Sequence, residues 1–134
     1  MSFLGVTYAH EKDENFKEFL DALPIPPEKA EAFLKSKPLA KLEKDGDTYI
    51  STTTTPEGEK VVKFENGVEF EEKITDSMTA KSTFTVEDNI VTQVQTFPDG
   101  KSITYKKEFT DDGLIVYVTF SDWDGTAKRY YVAQ

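Results

Sequence analysis

Apolar and polar residues alternate with a period of two along most of this chain. That period sends successive side chains to opposite faces of a strand. In GLIVYVTF (113–120), Leu114, Val116, Val118 and Phe120 fall on one face, and Ile115, Tyr117 and Thr119 on the other. The first set reads as an interior wall. In SITYKKEF (102–109), Ile103, Tyr105, Lys107 and Phe109 share a face, opposite Lys106 and Glu108. In AKRYYV (127–132), Lys128 on the solvent side sends Ala127, Arg129 and Tyr131 inward. Turn signals punctuate these runs: DGD at 45–47, PEGE at 56–59, ENG at 65–67, EDN at 87–89, PDG at 98–100, DDG at 111–113 and DWDG at 122–125. Short strands between such turns predict an antiparallel meander. The strands fall near 5–12, 39–45, 48–55, 59–65, 68–74, 80–86, 89–97, 101–109, 113–121 and 126–132.

One segment departs from the two-residue period. In DENFKEFLDALPIPPEKAEAFLKSKP (13–38), Phe16, Phe19, Leu20 and Leu23 recur at helical spacing. Ala30, Phe33 and Leu34 do so again after a Pro-Pro pair suited to a first helical turn. Two short helices are therefore predicted between the first and second strands, separated by PIP at 24–26 and ended by Pro38. Ten strands without a second layer of helices must resolve their sheet edges, and closing into a barrel does so. The fold class is all-β: one domain over residues 1–134, a ten-stranded antiparallel up-and-down barrel under a helix-turn-helix lid. A barrel of this strand number has room inside for more than side chains. Ten Phe and six Tyr imply an interior built from rings.

Composition narrows the chemistry. Cysteine is absent, which excludes disulfides and thiolate catalysis and suits a reducing compartment. A net charge of −9, with Lys106-Lys107 as the longest basic cluster, argues against nucleic acid as a partner. With one histidine and no calcium-loop pattern, no metal or cofactor is expected. Nearly all the carboxylates fall in turns or alternate with lysine, as on a solvated surface, so no catalytic pair and no enzyme activity is expected. The opening MSFLGVTYAHEKDEN meets charge by residue 11 and shows no basic leader, and no apolar run reaches membrane-spanning length. The expectation is a cytoplasmic monomer. Lid lysines are outnumbered by acidic neighbours, so contact with anionic membranes should be weak and transient.

Arg129 is the only arginine among 134 residues, against fifteen lysines. An inward arginine is costly unless an anion meets it. Its planar fork can take a carboxylate through two parallel hydrogen bonds, and a tyrosine two residues along the strand can donate a third. Arg129 and Tyr131 thus have the chemistry of a carboxylate clamp, and Lys107 faces the same interior. Spacing alone leaves open a structural Arg–Asp pair or an exposed rim residue. On the lid, Phe16, Leu20, Ile25 and Phe33 either touch a ligand tail or seat the helices on the barrel. Thr75 and Asp76 lie in a turn, as portal contacts or as ordinary turn residues. Trp123 reads as a turn-anchoring ring.

The chain resembles the intracellular lipid-binding proteins, of the fatty-acid-binding kind and most of all those of insect midgut. The resemblance rests on Tyr8, ENF at 14–16, FLDAL at 19–23, KP at 37–38, GDTY at 46–49, KFENGVEFEE at 63–72, KS at 81–82, KKE at 106–108 and KRYY at 128–131, in order over nearly the whole length. It implies a lidded barrel holding one long-chain fatty acid, with the carboxylate on the R-x-Y pair, here Arg129 and Tyr131. Where the family carries a second arginine this chain has Lys107, which keeps the charge and loses the planar fork. Lys17, Gly5, Tyr8 and Met78 are further departures. Burying a tail at ~0.8 kcal/mol per methylene supplies the affinity, and the clamp orients the head group. The expected function is a carrier of long-chain fatty acid, with a retinoic acid carrier or a lipid-regulated interaction protein as alternatives.

Overall fold

The computed structural model describes residues 3–23, 26–55, 58–75 and 78–134, without the side chains of 74, 75 and 78. The period-two runs form ten strands: β1 (Thr7–Glu14), β2 (Leu39–Asp45), β3 (Thr48–Thr55), β4 (Gly58–Glu65), β5 (Phe70–Thr75), β6 (Met78–Glu87), β7 (Ile90–Thr96), β8 (Ser102–Phe109), β9 (Gly113–Phe120) and β10 (Trp123–Ala133). Helices α1 (Phe16–Ala22) and α2 (Pro27–Lys35) lie between β1 and β2. The sheet order is β4-β3-β2-β1-β10-β9-β8-β7-β6-β5. Antiparallel pairing of β1 with β10 joins the two halves of the meander, from Tyr8 opposite Ala133 to Glu14 opposite Lys128. The result is a nearly closed ten-stranded barrel with two helices.

The predicted ends of β2 and β3 coincide with the observed ones. β1 starts two residues later than expected, because Gly5 turns the chain at φ 80° and its N–H donates to the Leu42 carbonyl at 2.8 Å. β10 starts earlier, at Trp123, with an irregular register against β9 before Ala127. The alternation holds where it was read most strongly. Along β9, Leu114, Val116, Val118 and Phe120 are buried and the residues between them are half-buried.

β4 and β5 stand at opposite ends of the sheet order, with no ladder between them. Side chains tie this seam instead. Lys60 Nζ on β4 lies 3.0 Å from Glu72 Oε2 on β5. In the β4–β5 connection, the Asn66 amide donates to the Val86 carbonyl at 3.1 Å and accepts from the Val86 N–H at 3.0 Å, as a strand neighbour would.

Apolar burial fixes the lid through α1. Phe16, Phe19 and Leu20 are buried on one face of this helix, and the Phe19 ring lies 5.9 Å from that of Trp123. Trp123, read from the sequence as a turn-anchoring ring, thus also packs on α1. α2 starts on Pro27 and buries no residue, so it rests more lightly on the barrel.

A bulge in β1 sets up the site. His10 pairs with Tyr131, but Lys12, not Glu11, is opposite Tyr130. The extra residue reverses the phase of the strand. A strict two-residue period would send Lys12 inward after Tyr8 and His10; the bulge sends Asp13 inward instead, directly opposite Arg129.

Candidate functional site

The barrel encloses a cavity of about 950 Å³. Rings pack against its walls: Phe64 stacks on Phe84 at 4.0 Å and on Tyr49 at 5.3 Å, while Phe3 stacks on Phe109 at 4.6 Å. Phe16, Leu20, Phe33, Val116 and Val118 all line the space. Phe33 does so from α2 while remaining 48% exposed, so it borders both the cavity and the outside. Of the remaining residues predicted for the ligand path, Ile25 and Asp76 lie outside the described residues, and Thr75 is described only as the end of β5.

Arg129, Tyr131 and Lys107 line the same cavity. The inward placement read from the alternation of β8 and β10 is what the fold contains. Arg129 is also a partner in an ion pair: its Nε donates to Asp13 Oδ1 at 2.8 Å, with the two side chains 13% and 16% exposed. Its Nη2 donates to the Ser36 carbonyl at 3.4 Å. The Phe16 ring lies under the guanidinium at 4.1 Å, a cation–π contact. The Arg–Asp pair left open by the spacing is present, and the same side chain lines the cavity.

Asp13 is shared further. His10 Nε2 lies 2.7 Å from its Oδ1, and the His10 ring meets that of Tyr131 edge-on at 5.4 Å. Burial raises the Tyr131 phenol above its ordinary pKa, with Arg129 pulling down and Asp13 pushing up. The hydroxyl stays a neutral donor.

Lys107 is different. Burial lowers its pKa, opposed by attraction to Glu72 and reinforced by Lys60. Its Nζ lies 5.9 Å from the centre of the Phe84 ring, and among the described residues no carboxylate is within ion-pair distance. Among the described residues this cavity amine has no committed anion. Tyr105, which lines the same cavity, is pushed up to about 12 by burial and by Glu72, against the pull of Arg129.

A second polar cluster was not anticipated from the sequence. Glu72 is 7% exposed, and its Oε1 accepts from Ser82 at 2.7 Å, Gln95 at 3.0 Å and Gln93 at 3.1 Å. Burial alone would raise this carboxyl, but the hydrogen bonds from Ser82, Gln95 and Lys60 hold it below its ordinary pKa. The expectation that carboxylates lie on the solvated surface thus fails at Glu72 and Asp13. For Glu72 a signal was present, since it lies two residues after Phe70 on the same strand. For Asp13 none was, because a bulge is invisible to periodicity. The interior consequently carries an apolar wall and a polar tract running from Asp13 and Arg129 past Tyr105 and Lys107 to Glu72. Such a space suits an amphipathic molecule with one polar end.

Among the described residues, no group of three or more His, Asp or Glu side chains could hold a metal ion, and no helix is long and apolar enough to cross a membrane. No family profile matches the chain. It is 43% identical to Fatty acid-binding protein 2 of Manduca sexta over 133 residues, 99% of this chain and 100% of the relative. The crystal structure of a fatty-acid-binding protein isolated from Manduca sexta superposes with a TM-score of 0.91 at 42% identity, covering 98% of this chain and 100% of that one. A Schistosoma mansoni fatty acid binding protein in complex with arachidonic acid superposes with a TM-score of 0.89 at 25% identity, covering 98% and 96% of the two chains. Full-length identity of this order, on the same lidded barrel, places the chain in the fatty-acid-binding protein family.

Proposed function

We propose that this protein is a non-catalytic intracellular carrier that takes one long-chain fatty acid into the barrel. The acid's carboxylate is met by Arg129, Tyr131 and Lys107. The observation that carries this reading is an arginine lining an otherwise largely apolar cavity of about 950 Å³. Family membership supports the ligand class, and the arachidonic acid complex of the Schistosoma relative supports a long acyl chain. Phe16, Leu20, Val116 and Val118 contact the tail, and Phe33 borders the path between α2 and the interior. Thr75 and Asp76 are kept as portal residues on the sequence reading alone.

In this reading, chain burial drives binding and the polar tract sets polarity. Each methylene removed from water contributes about 0.8 kcal/mol, whereas a hydrogen bond to a charged group contributes about 1.5–3 kcal/mol. Removing a head-group contact should therefore discriminate between ligands more than it reduces affinity overall. Arg129→Leu should weaken oleate about tenfold or more while changing oleyl alcohol far less. Lys107→Met should show the same selectivity, with Lys107→Arg restoring oleate. Displacement of a fluorescent fatty acid measures all of these, and equal losses for acid and alcohol would remove the clamp. Competition by retinoic acid in the same assay tests the retinoid alternative.

A further inference from the structure

Arg129 lines the cavity while its Nε donates to Asp13 and its Nη2 to the Ser36 carbonyl. Asp13 does not line that cavity; it stands behind the guanidinium, on the inner side of β1, where the bulge has turned it. The arginine cannot readily leave this partner. Its Nε is taken by Asp13, its Nη2 reaches Ser36, and Phe16 covers one face. Arg129 and Asp13 together carry no net charge. A carboxylate arriving from the cavity side would add a second anion to one buried guanidinium, a few ångströms from the first, where charges are weakly screened. His10, three residues back on β1, shares the same Asp13 oxygen at 2.7 Å and meets the Tyr131 ring of β10 edge-on, and neither is a fixed cation. An alcohol, ester or amide head group meets no such repulsion, and it can still accept a hydrogen bond from the neutralised fork.

We infer that Asp13 is a specificity-determining residue, which weakens the cavity's preference for anionic over uncharged long-chain lipids by neutralising Arg129 from behind. This rests on the reading of Arg129 as a head-group contact. It leaves Lys107, the basic group on β8 that lines the same cavity, to share an anionic head group with Arg129.

The test compares oleate and oleyl alcohol in four proteins: the native chain, Asp13→Asn, Arg129→Leu and the double variant, at one pH and ionic strength. Asparagine keeps an oxygen that can accept from Nε and removes the charge. Asp13→Asn should tighten oleate about tenfold and leave oleyl alcohol within about twofold. In the Arg129→Leu background, where Asp13 stands without its ion-pair partner, removing its charge should again favour oleate over oleyl alcohol. Unchanged or weaker oleate binding in Asp13→Asn, or an equal gain for oleyl alcohol, overturns the inference. If Arg129→Leu alone loses acid and alcohol equally, the head-group assignment itself falls. If it is selective while Asp13→Asn gains nothing, only the role of Asp13 falls. Thermal melts establish folding, and Asp13→Ser carries the same reading if the asparagine variant does not fold.

Discussion

Glu72 keeps its charge in a place that works against it. Ser82, Gln93 and Gln95 point their donors at one oxygen, and Lys60 reaches the other from across the seam. Hydrogen bonds to the ionised form outweigh burial, and the folded-state pKa lies below the ordinary value. The unfolded chain then binds the proton more readily than the folded one. Glu72 stabilises the fold at pH values above the unfolded carboxylate range, about 4.3, and this contribution is lost as pH falls through the lower folded value. Glu72→Gln should be less stable than the native chain at pH 7, and the gap should close below about pH 4. Urea unfolding at a series of pH values measures it. A constant gap would mean that packing, not charge, is what Glu72 supplies.

At the level of elements, the strands were legible because two signals agreed. Turn residues mark the hairpin ends, and the alternation between them names the inner face, so β8, β9 and β10 present Lys107, Val116, Val118, Arg129 and Tyr131 as read. The lid was legible from helical spacing, although α2 buries nothing. What periodicity could not supply was the phase change in β1. One inserted residue decides whether a lysine or an aspartate meets Arg129, and no composition or spacing rule locates it. The glutamines of β7 were missed for another reason: polar residues on an inner face resemble an outer face until their shared partner, Glu72, is in view. Where backbones approach closely, the elements leave no slack. A Cβ on Gly113 would lie 2.6 Å from the Tyr131 carbonyl oxygen, a main-chain atom that cannot rotate away. Gly113→Ala should therefore cost about 1–3 kcal/mol, seen as a lower denaturation midpoint, and should loosen the strand pair that carries Tyr131.

The whole molecule is a container whose walls are strong everywhere but at one flank. Backbone pairing joins each neighbour from β4 around through β1 and β10 to β5, with bulges on the way, and among the described residues the Lys60–Glu72 contact bridges the two ends. Main-chain ladders respond little to dissolved ions, whereas an ion pair with a 55% exposed lysine is screened by them. Ionic strength should accordingly act on one flank of the container and spare the rest. Raising sodium chloride to about 1 M should speed hydrogen exchange in β4 and β5 while leaving β9 and β10 unchanged. Lys60→Met should erase the difference between low and high salt. Cargo that leaves through that flank would then be discharged faster in brine than in dilute buffer, so the electrolyte around the protein, as much as its sequence, would set how long a lipid stays aboard.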